Sequence, residues 1–435
     1  MKHRMGITRR TLLHTSALAA AATPLIGATR RPSPRTDDPD VLKVGLVGCG
    51  GRGTGAAAQA LNAEQGTVVL TAVADPFQER IDECLKSLRT ELGETKADRV
   101  RVTPESSFTG FDGYRKLIAS GVDVVLLAAP PHFRPEHLAA VAEAGLHCFC
   151  EKPAAVDAPG YRSFLESVRV LRAKKRSLVS GFCWRYNTRN RELYGRVLSG
   201  SIGDVHTVYS TYLTGPIAPK ARRGAESDLE YQVRNWYPFV WASGDHIVEQ
   251  AVHSIDKQQW AFGDKPPLSA TAIGGRAARG SGPEEGNIWD HFSVTYEYGD
   301  GRRAFHVCRQ IPGCSNNNTD HLHGSDGHAV VEGWVPNYEI HGKNPWIYEG
   351  EGNDMYQQEH DELFASIRSG KLIDDGEWMA QSAMVAILGR MAAYTGQSIT
   401  WDMAIKSEQR LGPATYEPGA LAVDPPAMPG RTPFV

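Results

Sequence analysis

Cysteine is scarce in this chain. Seven in 435 residues are too few and too scattered for a disulfide scaffold. No apolar run reaches the roughly 18 residues that a membrane span needs. An excess of one charge is missing too: 47 Lys and Arg stand against 50 Asp and Glu, for a formal charge of −3. Phosphate backbones are held by clustered Lys and Arg, so this balance argues against nucleic acid as the main partner. What the chain does have is apolar residue, 41% of the total. That is enough for a real core and excludes wholesale disorder. The length allows about two or three domains.

Thr8-Arg9-Arg10-Thr11-Leu12-Leu13 is a twin-arginine pattern, and a short Ala-rich apolar run follows to Ala22. The run suits the hydrophobic segment of a signal peptide and is too short to cross a bilayer. Such a signal is a receptor-read address. Residues 1–28 are therefore expected to be a twin-arginine signal peptide, and the mature chain periplasmic or otherwise exported. Losing Lys2, Arg4, Arg9 and Arg10 with that segment takes the formal charge from −3 to −7. Residues 29–40, with three prolines, read as a linker. Cys148 and Cys150 alternate with Phe149 along an apparent strand. Both thiols then fall on one face, where buried apolar cysteine is the expected reading.

The first half carries a nucleotide-binding pattern. Val41 to Val47 (VLKVGLV) is β-rich and runs directly into Gly48-Cys49-Gly50-Gly51-Arg52-Gly53, a G-x-G-x-x-G, after which TGAAAQAL opens a helix. Gly48 permits the tight turn, Gly50 lets backbone approach a pyrophosphate, and Gly53 allows close helix–strand packing. The helix N-terminus offers free N–H groups to the phosphates. A second strand, Val68 to Ala74, ends in Asp75, 22 residues after Gly53. An acid there hydrogen-bonds an adenosine ribose and repels a 2′-phosphate, favouring NAD over NADP; an ordinary helix N-cap is the plainer alternative. Val122 to Ala129 is apolar at every position but Asp123, as a doubly covered parallel strand is, and the stiff loop Pro130-Pro131-His132-Phe133-Arg134-Pro135 follows it. Alternating strand and helix over residues 41–155 predict a parallel, doubly wound Rossmann domain with its ligand at the strand carboxyl ends.

The strand Leu146–Cys150 ends in Glu151-Lys152-Pro153. A Lys at that position can donate a proton or a hydrogen bond to a reacting hydroxyl or carbonyl. More often a strand-end Lys is a solvated cation.

Together, GCGGRG, AAPPHFRPEH, EKPAAVDAPG and GFCWRYN resemble the glucose–fructose oxidoreductase/inositol dehydrogenase family, Gfo/Idh/MocA. The resemblance runs from Val41 to about Trp401, and EKP is its most specific element. It implies a Rossmann domain followed by an α+β domain, residues 156–405, with a large, mostly antiparallel open sheet. It also implies a sugar, polyol or derivative as substrate, a homo-oligomer, and Lys152 as a catalytic residue. The implied cofactor site comprises Gly48, Gly50, Gly51, Arg52, Gly53 and Asp75, the loop and helix residues Pro130, His132 and His137, and Glu151 with Lys152.

Gly244 to Asp256 lacks Pro and reads as one helix, placing Glu249, His253 and Asp256 at i, i+4 and i+7 on one face. A Glu–His pair facing a cleft suits a general base; a surface helix with a chance pair has the same spacing. The family resemblance favours the first reading. It implies an Asp-x-x-x-His-x-x-Asp pattern whose His relays the substrate proton. His253 and Asp256 match, and Glu249 departs from the family Asp by one methylene. GFCWRYN reads as a strand into the second domain, with Arg185 and Tyr186 placed to contact sugar hydroxyls; strand-end Arg also makes interface ion pairs. Trp236, Tyr237 and Trp241 suit core packing or a carbohydrate platform equally.

Asp320-His321-Leu322-His323 with Asp326 and His328 is the most metal-like cluster. Its Gly-Ser-Asp-Gly centre reads instead as a turn between strands, and no metal is expected. Residues 406–435 hold six prolines from Leu411 onward and read as an extended arm on this subunit or a neighbour.

The expected activity is NAD-dependent hydride transfer on a sugar, polyol or glycoside. An exported enzyme lacks a soluble cofactor pool, so tightly bound NAD follows. Redox-neutral glycosidase or keto-sugar lyase chemistry is the alternative, and a non-catalytic sugar- or NAD-binding protein the second.

Overall fold

The computed structural model describes residues 40–435. The twin-arginine segment and nearly all of the linker lie outside the described residues.

Six strands form the first sheet: β1 Val41–Val47, β2 Thr67–Asp75, β3 Ser107–Thr109, β4 Val124–Leu127, β5 His147–Cys150 and β6 Leu178–Ser180. Their order is β3-β2-β1-β4-β5-β6, and every pairing is parallel. The order reverses between β1 and β4, which makes the cleft above their carboxyl ends the ligand site. β4 is buried at every position, consistent with cover on both faces. Cys148 and Cys150 pack into one apolar core while Phe149 enters the core on the other side, as the alternation predicts. The sheet continues past the boundary expected at residue 155. The stretch expected to be a strand, GFCWRYN, instead holds a 3₁₀ turn at Cys183–Tyr186, because the short β6 has already ended at Ser180.

The second sheet has nine strands: β7 Val205–Thr214, β8 Ser269–Gly275, β9 His291–Glu297, β10 Arg303–Gln310, β11 Thr319–Gly324, β12 Gly327–Glu332, β13 Asn337–Gly342, β14 Trp346–Ile347 and β15 Ile399–Thr400. Their order is β14-β13-β12-β11-β7-β10-β9-β8-β15. Only β7 and β10 pair in parallel. One face is covered by the helix Val252–Ala261 and the almost wholly buried helix Gly376–Thr395. The other face keeps Tyr209, Phe305 and Ile273 exposed. Among the described residues no helix is long and apolar enough to cross a membrane.

The segment expected to be one helix is two, His246–Glu249 and Val252–Ala261, broken at Gln250–Ala251. Glu249 therefore ends one helix while His253 begins the next.

Candidate active site

Glycine geometry builds the nucleotide turn. Gly48 has φ +95°, and a Cβ there would lie 2.5 Å from Ala129 N. A Cβ on Gly53 would lie 1.8 Å from Gly48 O, so only glycine lets the helix Gly51–Asn62 approach β1. These residues, with Gly50, Gly51 and Arg52, line an open cleft. Asp75 closes one end of it. Its carboxylate accepts Cys49 N–H at 2.9 Å and Phe77 N–H at 3.0 Å, and burial pushes its pKa up despite those bonds. Arg80 and Lys220 line the same cleft. The open glycine turn and the acid at its end fit a dinucleotide.

The loop after β4 divides its expected residues. Pro130 and His137 line the cleft. His137 lies against Tyr114, with centroids 4.3 Å apart. Its pKa falls to about 3 through burial and then the charges of Arg134 and Arg115, so the ring is neutral. His132 is a correction: its Nε2 meets the hydroxyl of Tyr416 at 2.8 Å and its ring lies edge-on to Trp241, so the imidazole serves the C-terminal arm. Glu151, buried below the cleft, accepts Arg52 Nε–H and the backbone N–H of Lys152 at 3.1 Å. It is a support for Arg52 and not a cleft-lining group. Arg52 also stands 3.8 Å from the buried Glu359 and lies over Tyr356.

At the end of β5, Lys152 Nζ donates to Glu249 Oε1 at 2.8 Å and to the Glu249 carbonyl at 2.6 Å. Both side chains are mostly buried, at 13% and 14% exposure. The first domain thus supplies the cation and the second the carboxylate. His253 is half-buried and edge-on to Phe182, and its Nδ1 is buried with no hydrogen-bond partner. Burial holds its pKa well below the ordinary value, and the charges of Lys152 and Lys257 add to the effect. A neutral imidazole beside an ammonium–carboxylate pair can accept a hydroxyl proton.

Arg185, Tyr186 and Asp256 are corrected as substrate contacts. Arg185 Nη2 lies 2.8 Å from Asp256, whose residue is fully buried, and the same guanidinium binds Asp264. Ser382 donates to Asp256 at 2.8 Å. Tyr186 donates its hydroxyl to the half-buried Asp375. All three side chains are engaged in bonds within the protein. The metal-like cluster also separates: Asp320 turns inward to pair with buried Lys257, while His321, His323 and His328 lie on the outer face. Among the described residues no three potential ligands converge on a metal position.

Local spacing did not reveal Gln250, Gln310 or Tyr212 as neighbours of this centre. Gln310 Nε2 donates to Gln250 Oε1 at 2.6 Å and to the Tyr237 hydroxyl at 2.7 Å, beside Glu249. Only the Trp236–Tyr237 aromatic cluster gave a local signal.

The profile of the oxidoreductase family GFO_IDH_MocA, NAD-binding Rossmann fold, matches residues 42–181, and that of its C-terminal alpha/beta domain matches residues 195–409. The chain belongs to this family. Its N-terminal half is an NAD-binding Rossmann domain, as the glycine turn and Asp75 predict. Among curated relatives, inositol 2-dehydrogenase 4 of Saccharopolyspora erythraea is 28% identical over 60% of this chain and 64% of its own length. The 2,7-anhydro-N-acetylneuraminate hydratase of Escherichia coli is 29% identical over 42% and 44%. The chain thus spans less than two thirds of either relative. In fold it is similar to levoglucosan dehydrogenase complexed with NADH and levoglucosan, with TM-score 0.65 and 19% identity over 83% of this chain and 99% of that one. Aldose–aldose oxidoreductase from Caulobacter crescentus is comparable, at 0.64 and 17% over 82% and 99%.

Proposed function

We propose that this Gfo/Idh/MocA protein is an NAD-dependent oxidoreductase that oxidises a hydroxyl of a sugar, polyol or glycoside and keeps its NAD through turnover. The observation that carries the reading is the 2.8 Å contact between Lys152 and Glu249 across the two domains, with neutral His253 beside it. NAD, when bound, supplies the hydride acceptor. Lys152 orients the reacting oxygen, and His253 takes the hydroxyl proton as the C–H bond gives up its hydride. Glu249 holds the ammonium in place. Cofactor retention is supported by the C-terminal arm, which braces two walls of the cleft through Tyr416.

A redox-neutral net reaction is the second reading. Transient oxidation to a ketone acidifies the neighbouring C–H, and Lys152 and His253 then serve elimination or hydrolysis before hydride returns. The hydratase relative supports it. A non-catalytic binder would not require both Lys152 and His253.

Export by the twin-arginine route belongs to the same proposal, supported by Arg9 and Arg10; the mass of the mature N-terminus tests it. So does homo-oligomer formation through the open sheet face that exposes Tyr209, Phe305 and Ile273, tested by sedimentation. The deciding experiment denatures the purified protein and identifies released nucleotide by mass. Stoichiometric NAD is expected; an empty protein that binds added NAD weakly overturns retention.

A further inference from the structure

The turn joining β12 to β13 presents Trp334 and Val335 to solvent, at 43% and 68% exposure. An indole left this open on a short turn adds little to the core. Its position is nevertheless fixed. Gly333 N–H donates to the Asn318 carbonyl at 2.8 Å. The Oδ1 of the same Asn318 lies 3.2 Å from the hydroxyl of Ser254, which also lies 3.0 Å from the Thr211 carbonyl. Ser254 directly follows His253, and Thr211 directly precedes Tyr212. One asparagine and one serine therefore tie the turn, the end of β7 and the His253 helix into a single rim. On that rim Trp334 meets Tyr212 edge to face, with ring centroids 5.4 Å apart and planes at 80°. Burial raises the Tyr212 phenol pKa, and the negative charge of Glu249 raises it further.

We propose that Trp334, braced by Tyr212, is a platform for a second sugar ring, so that the substrate is a glycoside of at least two rings and not a free monosaccharide. This rests on the sugar-oxidoreductase reading. Pyranose rings present a flat C–H face that packs on an aromatic surface, and their hydroxyls meet polar groups at the ring edge. Both requirements are present in order along the rim. Lys152, Glu249 and His253 serve the ring being oxidised; Tyr212 and then Trp334 extend outward for its neighbour. Trp334 contributes to binding and takes no part in proton or hydride movement.

The test uses the full-length mature protein with NAD. Reduction is followed at 340 nm with methyl glucosides and methyl galactosides as single-ring probes, and with maltose, cellobiose and lactose as two-ring probes. Trp334→Ala is expected to raise KM for the two-ring substrate by about tenfold, the equivalent of roughly 1.4 kcal/mol. Its kcat and the KM for the single-ring probe should stay within about twofold, and Trp334→Phe should restore most of the loss. Equal effects on both probe classes, or none on either, overturn the inference and leave the oxidoreductase reading intact. Wild-type reduction by single-ring probes alone does the same. No reduction by any probe overturns both.

Discussion

The ammonium of Lys152 and the carboxylate of Glu249 meet at 2.8 Å although 97 residues separate them, and each comes from a different sheet-based domain. The contact joins the Rossmann sheet's unit to that of the nine-stranded sheet. It holds the ammonium just past the end of β5.

Lys152→Arg separates charge from chemistry. Arginine keeps a cation for Glu249 but stays protonated and presents a larger planar fork. Stopped-flow hydride transfer is expected to fall by about 10²–10⁴, the usual worth of a positioned acid–base group. Bound NAD, measured by mass after denaturation, should be unchanged. A variant with wild-type rate would reduce Lys152 to a charge partner.

Asp75 is the proposed determinant of cofactor preference. Removing its carboxylate in Asp75→Ser takes away the group that repels a 2′-phosphate, while Arg80 and Lys220 remain in the same cleft. The ratio of NADP to NAD affinity is expected to rise by about tenfold or more, each factor of ten being roughly 1.4 kcal/mol. Titration calorimetry with both nucleotides on apoprotein checks it, and an unchanged ratio would show that Asp75 only caps its turn.

Arg185→Met should cost stability and not substrate affinity. The change strands Asp256, which is fully buried and otherwise bonded only to Ser382 among side chains. Breaking a buried pair in this way costs about 3–5 kcal/mol. Urea unfolding is expected to show that loss, with KM altered far less. A stable variant with a raised KM would return Arg185 to the substrate site.

That residue also shows where sequence reading stops. The glycine turn, β2 and Asp75, and the EKP strand end were legible because each depends on a contiguous run of residues. Arg185 and Asp256 lie 71 positions apart, and nothing in either segment's spacing says that each neutralises the other. The break at Gln250–Ala251 has no Pro or Gly to announce it, so Glu249 and His253 looked like helical neighbours. They lie on two separate helices. His132 was misplaced for a related reason: Tyr416, 284 residues away, captures its ring.

His306 supplies a pH test away from the site. It is fully buried with Nδ1 2.9 Å from Ser210 Oγ. Burial, then the charge of Lys257, depresses its pKa to about 3. The unfolded chain takes up this proton near pH 6.5 and the native state does not, so protons favour unfolding through this residue. Its contribution is whole above pH 6.5 and is lost as pH falls toward 3. Wild type should therefore lose stability relative to His306→Gln by about 1.4 kcal/mol per pH unit across that window. Unfolding curves of both proteins at pH 7, 6 and 5 measure it; a constant difference would refute the linkage.

Tyr416 tests cofactor retention most directly. Its ring stacks on Phe111 at 5.2 Å and meets Phe133 at 5.2 Å, and both of those residues line the dinucleotide cleft. Five residues on, Leu421 N–H donates to Asp228 at 3.2 Å and its carbonyl accepts from Gln232 at 2.6 Å, on the helix that carries Val233 into the same cleft. The arm thus bridges two walls of that cleft. An aromatic contact of this kind is worth about 0.5–1.5 kcal/mol beyond its buried area. Tyr416→Ala should then speed NAD release by up to about tenfold while Lys152 and Glu249 keep their contact. Release is read by dilution into an NAD-consuming coupled assay, and initial hydride transfer on the loaded enzyme serves as the control. Faster release with unchanged transfer assigns the arm to retention. Unchanged release would mean that the cleft holds its cofactor without the arm.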